Sequence, residues 1–148
     1  MTTDVQKPAV EVLLVEDNLA DIQLTMEAFA EGSIRTNLNV VRNGEEAMEY
    51  LTRNGHYANT PRPQLILLDL NLENKNGREV LAELKEDPDL KCIPVLVLST
   101  SQAPQDIQEC YNLHTNCYLV KPSNIEDFGN TVRSIEEFWL TRVKLPVP

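Results

Sequence analysis

Four short apolar runs in this chain each lead into polar residues capable of chemistry. Glu16-Asp17 follows Val10–Val15, Asp69 follows Leu65–Leu68, Ser99-Thr100 follows Val95–Leu98, and Lys121 follows Tyr118–Val120. If the runs are strands of one open α/β sheet, these residues lie at the carboxyl ends of the strands, where such sheets bind ligands. Three carboxylates, a hydroxyl and an ammonium would then share one edge. Carboxylates that close raise one another's pKa unless a cation sits among them. Hard oxygen ligands with room for water and a phosphate oxygen favour Mg²⁺, and the neighbouring hydroxyl and ammonium suit phosphate oxygens. Singly, each residue has a plainer use: a strand-end Asp caps a helix or forms a turn, and a Ser-Thr pair or a Lys is ordinary surface. One element at each correct strand end is the specific feature.

The segments around these residues alternate in a way that supports such a sheet. A fifth run, Leu38–Val41, is weaker and is expected nearer an edge. Val12–Val15, Leu65–Leu68 and Val95–Leu98 are near-continuous in Val, Ile and Leu, as strands buried on both faces of a parallel sheet should be. Helix signals fill the gaps. Asn18 can cap a helix with a core face of Leu19, Ile22, Met26 and Phe29. Asn43 caps a second before Ala47, Met48 and Leu51, with Glu46 three residues on. Val80, Leu81 and Leu84 suit a third, which stops before Asp87-Pro88. A fourth, near Pro104–Leu113, has only Ile107, Tyr111 and Leu113 as large apolar positions. Ser123-Asn124-Ile125-Glu126 reads as a capping box for the last helix, with a stripe of Ile125, Phe128, Val132 and Ile135. The pattern is (βα)₅, a parallel sheet with helices on both faces.

The chain has 148 residues, which favours one domain. A net charge of −10 argues against a nucleic-acid backbone or an anionic membrane as the main partner. It suits a basic protein surface or a divalent cation, and serves solubility equally. Three cysteines, Cys92, Cys110 and Cys117, form no disulfide framework and point to a reducing compartment. Cys110, His114 and Cys117 raise a zinc site, but no further Cys/His cluster completes a ligand set. No apolar segment is long enough to span a membrane, and the first eight residues lack a signal peptide's apolar stretch, so a cytoplasmic protein is expected.

From about Val10 through the last helix, the sequence resembles a two-component receiver domain. Glu16-Asp17, Asp69 with Gly77 eight residues on, Ser99, and Lys121-Pro122 match that family in type and order. The similarity to phytochrome-associated single-domain regulators is closer still. It is carried by Leu65–Leu72, Gly77-Arg78-Glu79-Val80-Leu81, Asn116-Cys117-Tyr118, and Glu137-Phe138-Trp139-Leu140 with Leu145-Pro146. The resemblance implies a doubly wound, flavodoxin-like fold with strand order 2-1-3-4-5. It also implies an extension over 1–9, a receiver over 10–141 and a tail over 142–148, with no output domain. Asp69 would accept a phosphoryl group from the phosphohistidine of a sensor kinase, a phytochrome among the candidates. Asp17, Asp69 and the backbone carbonyl of Asn71 would ligate Mg²⁺, with Glu16 acting mainly through water. Ser99 and Lys121 would bind phosphate oxygens, Lys121 pairing with Asp69 beforehand. The family's Lys-Pro bond is cis, and Tyr118 occupies its aromatic switch position. Such a chain would be a phosphoacceptor and not an enzyme acting on other molecules.

Two residues depart from the family pattern. Glu73 stands where Pro is common and adds negative charge beside the site. Thr100 stands where Ala or Gly is usual, and its branched side chain is expected to restrict access of water or donor. A haloacid-dehalogenase-like phosphatase is the nearest enzyme alternative, but its second Asp is Asn71 here and the motif sits on the third strand, leaving no general acid/base. A pseudo-receiver used only for protein contacts would not need three converging carboxylates. A Ser-His-Asp hydrolase is poorly supported, since neither His56 nor His114 follows a strand. Phe138, Trp139 and Leu140 cannot all face one core at about 100° per helical residue. At least one should be exposed, either covered by the returning tail or serving a homodimer through the last helix and tail.

Overall fold

The protein, represented by a computed structural model, is described over residues 8–72 and 75–147. Glu73, most of the 1–9 extension and Pro148 lie outside the described residues. Five parallel strands form one sheet: β1 (Val10–Val15), β2 (Thr36–Val41), β3 (Leu65–Asp69), β4 (Val95–Ser99) and β5 (Cys117–Val120). Their order is β2-β1-β3-β4-β5. The weakest apolar run is thus an edge strand, and the most continuous ones, β3 and β4, are buried along their full length. Four helices fill the crossovers, α1 (Leu19–Glu31), α2 (Gly44–Thr52), α3 (Gly77–Glu86) and α4 (Pro104–Asn112), and a fifth, α5 (Ile125–Glu137), follows β5. Two apolar cores lie on opposite faces of the sheet. One packs Leu13, Ile66 and Leu68 against Leu51, Leu81 and Leu84. The other packs Leu14, Leu67 and Leu96 against Phe29, Phe128 and Val132. Truncating one of these fully buried leucines to Ala should cost about 2–5 kcal/mol.

Capping fixes where the helices start. Asn18 Oδ1 accepts from the Asp21 amide at 3.0 Å, Asn43 Oδ1 from Glu46 at 2.8 Å, and Asn76 Oδ1 from Glu79 at 3.1 Å. At α5 the cap is Asn124, one residue beyond Ser123, because its Oδ1 takes the Asp127 amide at 2.8 Å. Two core stripes also differ from expectation. In α1 the buried residues are Ile22, Thr25, Ala28 and Phe29, while Leu19 is 66% and Met26 47% exposed. The inward face is therefore rotated roughly 70° from the one drawn through the largest apolar residues. Ile125, the first residue of α5, is 71% exposed. Helical side chains tilt toward the N-terminus, so a first-turn residue points past the core. Helix α4 docks through buried Cys110, while Tyr111 is 45% exposed.

Beyond α5 the chain makes a π-helical turn, Phe138–Arg142, closed by the Val143 amide on the Phe138 carbonyl at 3.0 Å. The wider turn shifts the helical register. Trp139 and Leu140 pack on the core, and Phe138 stays 56% exposed. The tail returns toward the sheet, where Gln64 Nε2 donates to the Pro146 carbonyl at 3.2 Å. The tail's return and the exposure of one aromatic are both present.

Candidate functional site

The loops after β1, β3, β4 and β5 bring the expected residues together. Glu16 follows β1 and is buried; its Oε2 accepts from the Asp17 amide at 3.1 Å and the Asn18 amide at 3.4 Å. Asp17 is half-buried, and its carbonyl accepts from Arg42 Nη2 at 3.3 Å. Asp69 closes β3, buried, with Oδ1 taking the Asn71 amide at 3.3 Å. Ser99 closes β4, and its Oγ accepts from the Ser101 amide at 3.1 Å. The Lys121 amide donates to the Ser99 carbonyl at 2.7 Å, which seats that residue at the end of β5. Its side chain, 7% exposed, turns into the acids. Nζ makes a short ion pair with Glu16 Oε1, donates to Asp21 Oδ2 at 3.0 Å, and lies 3.6 Å from Asp69 Oδ2.

This edge holds more negative charge than Lys121 can balance. Carboxylate oxygens of Glu16, Asp17 and Asp69 all lie within 4.8 Å of one another. Burial pushes the Glu16 carboxyl up to about 8, helped by its hydrogen bond to Asp69 and the charge of Asp69, and opposed by Lys121. For Lys121, burial acts to lower the pKa, but Glu16, Asp69 and Asp21 outweigh it and the ammonium is held above its ordinary range. A carboxyl driven that far up needs either a proton or a cation beside it. Three converging carboxylates form a hard oxygen set that fits a small divalent ion. Among the described residues this is the group of side chains placed to hold a metal, and Cys110, His114 and Cys117 form no such cluster.

Other expected residues take less direct positions. Asn71 is exposed and contributes its amide to Asp69, as noted. Thr100, directly after β4, is exposed. Tyr118 donates its hydroxyl to the Ser101 carbonyl at 2.9 Å, which ties β5 to the loop after Ser99. The resemblance implies a cis Lys121–Pro122 bond; here that bond is trans. Trans is the form favoured by about 0.5–1 kcal/mol before proline, and Lys121 reaches the acids from it. Gly77, first residue of α3, abuts the site: a Cβ there would lie 2.4 Å from the Asp69 carbonyl oxygen and 2.6 Å from Leu70 Cα. Sequence reasoning missed Asp21. Its signal was a fourth acid in the first turn of the helix that Asn18 caps, one turn past Glu16-Asp17 and so facing the same strand end.

The model of the response regulator receiver domain family matches residues 12–133. The chain belongs to that family. Response regulator Rcp1 of Synechocystis sp. is 50% identical over 144 residues, 97% of this chain and 98% of that protein. The crystal structure of the phosphorylated cyanobacterial phytochrome response regulator RcpA superposes with a TM-score of 0.92 at 53% identity, covering 95% of this chain and 100% of that one. A Mn²⁺-bound form of response regulator Rcp1 gives 0.90 at 51% identity, covering 93% and 99%. The receiver fold and strand order read from the sequence are therefore borne out. The protein is a two-component signalling protein, and a histidine kinase is the partner class its family implies.

Proposed function

We propose that this receiver takes a phosphoryl group onto Asp69. The observation that carries the reading is Asp69 itself: a buried carboxylate at the end of β3, 3.6 Å from the Lys121 ammonium and flanked by Glu16 and Asp17. In the transfer, an Asp69 carboxylate oxygen attacks phosphorus while the donor's P–N bond breaks. The electron pair of that bond goes to the imidazole nitrogen. Asp69 becomes an acyl phosphate, and water later hydrolyses it. Glu16, Asp17, Asp69 and the Asn71 carbonyl would hold Mg²⁺, which when bound neutralises charge on the phosphoryl oxygens. Ser99 and Lys121 would donate to those oxygens. Ser99 Oγ accepts from the Ser101 amide and keeps its O–H free to donate; a shift of Ser99 toward phosphate would move Ser101 with it, and Tyr118, bonded to the Ser101 carbonyl, would register the change.

The donor is a sensor histidine kinase, and the high identity to phytochrome response regulators supports a phytochrome. Leu19 and Ile125, exposed at the starts of α1 and α5 directly after two of the site loops, would supply its apolar footing. Exposed Phe138, edge-to-face with Trp139 at 5.9 Å, supports a homodimer through α5, its π turn and the tail. No described helix is long and apolar enough to cross a membrane; the negative charge disfavours nucleic acid as a partner, and a cytoplasmic setting, where a kinase of this family's partner class would present its phosphohistidine, belongs to the same proposal. Incubation with a small phosphodonor and Mg²⁺, followed by intact-mass measurement, tests the reading. One acid-stable, alkali-labile phosphate is expected, and it should be lost in Asp69→Asn. Full labelling of that variant would refute it.

A further inference from the structure

Lys121 faces three carboxylates, and they are not equivalent. Glu16 and Asp69 belong to the acid cluster placed to hold a metal, whereas Asp21 does not. Asp21 is fixed independently of the sheet, in the first turn of α1. Its amide donates to Asn18 Oδ1 at 3.0 Å, and its carbonyl accepts from Thr25 Oγ1 at 2.7 Å. Its carboxylate, 24% exposed, meets the Lys121 ammonium at 3.0 Å, closer than Asp69 does at 3.6 Å.

We propose that Asp21 is a positioning residue for Lys121, which keeps the ammonium beside Asp69 while cation and phosphoryl group engage the other two carboxylates. The proposal rests on the reading of Asp69 as the phosphoacceptor. A cation among Glu16, Asp17 and Asp69 competes with Lys121 for the Glu16 carboxylate, its shortest partner. Once phosphorylated, Asp69 spends a carboxylate oxygen on phosphorus. A four-carbon side chain without a fixed counter-charge would then sample many rotamers, at an entropic cost to each productive arrangement. Asp21, anchored in the first turn of α1, supplies that fixed point. It touches neither the metal cluster nor the phosphoryl group, and acts through Lys121.

The test follows acyl phosphate formation from a radiolabelled phosphodonor over hours, so that slow variants still give a rate. Asp21→Asn keeps the shape of the side chain and removes its charge. Losing one charge-assisted hydrogen bond to Lys121 should slow phosphorylation about three- to tenfold. The half-saturating Mg²⁺ concentration should move less than about twofold, because the metal's own ligands remain. Asp21→Glu should recover most of the rate. In a Lys121→Met background Asp21→Asn should have no further effect, since residues acting as one unit are not additive. A melting temperature for each variant separates a folding defect from a positioning one. A rate in Asp21→Asn equal to or above wild type would overturn the proposal. So would a slowing that persists undiminished in Lys121→Met, or a large shift in the Mg²⁺ requirement. If the wild-type chain itself takes no phosphate, the reading of Asp69 fails instead, and the two failures are distinguishable.

Discussion

Two glycine-to-alanine substitutions should move stability in opposite directions, for reasons visible in their surroundings. At Gly77 an added Cβ would lie 2.4 Å from the Asp69 carbonyl oxygen, 2.6 Å from Leu70 Cα and 3.1 Å from the Asp69 carbonyl carbon. All three are backbone atoms of the site loop, and none can swing aside. The Gly77 amide also donates to the Leu70 carbonyl at 3.1 Å, so α3 and the end of β3 cannot easily separate. Overpacking of this kind costs about 1–3 kcal/mol. For a chain of this length that lowers the melting temperature by about 2–12 °C. At Gly129, inside α5, the nearest atom to an added Cβ is Nη2 of Arg133 at 3.5 Å, an ordinary contact with the end of a flexible side chain. Replacing glycine by alanine in a helix interior gains about 0.5–1 kcal/mol, a rise of about 1–4 °C. Thermal unfolding of the two variants beside wild type reads both signs at once. Gly77→Ala should also phosphorylate more slowly, because the backbone it displaces carries Asp69. A Gly77→Ala melting temperature at or above wild type would refute this account of close approach between α3 and β3.

Millimolar Mg²⁺ should raise the melting temperature, because the ion binds the folded acid cluster and not the unfolded chain. Asp17→Ala should abolish that shift, as differential scanning calorimetry with and without the ion would show. Burial, the hydrogen bond to Glu46 and the charge of Glu46 push the Tyr57 phenol from 10.0 up to about 12. Folding favours its neutral form, so this contribution is complete below pH 10 and is lost as pH rises toward 12. Burial also raises the Tyr50 phenol, so an ultraviolet titration should show two of the four tyrosines ionising late, and Tyr57→Phe should remove one of those two late steps. Light scattering of the chain and of a version ending at Glu137 should give a dimer and a monomer respectively. A monomeric full chain at tens of micromolar, phosphorylated or not, would remove the dimer, and a dimer that survives truncation would move its interface elsewhere.

The strands were legible because burial on both faces leaves little choice of residue. Leu65–Leu68 and Val95–Leu98 reappear as β3 and β4, each extended by the polar residue that follows. The site was legible for a related reason: a parallel sheet places every strand end on one edge, so Glu16, Asp17, Asp69, Ser99 and Lys121 converge once the strands are right. Helix faces were harder to read. In α1, Thr25 and Ala28 turn inward while Leu19 and Met26 do not. A stripe drawn by side-chain size cannot see that α1 packs beside α5 as well as on the sheet. The start of α5 moved by one residue because Ser123 and Asn124 can both cap, and only geometry chooses between them. Asp21 escaped because its contact is with Lys121, which is 100 residues away in the chain.

The central claim is that Asp69 accepts the phosphoryl group, and locating the acyl phosphate tests it most directly. Borohydride reduces an aspartyl phosphate to homoserine, and peptide sequencing by tandem mass spectrometry then locates the converted residue. After phosphorylation in Mg²⁺, conversion is predicted at position 69 alone. Homoserine at position 17 or 21, or the longer alcohol that a reduced glutamyl phosphate would leave at position 16, with Asp69 intact would contradict the account.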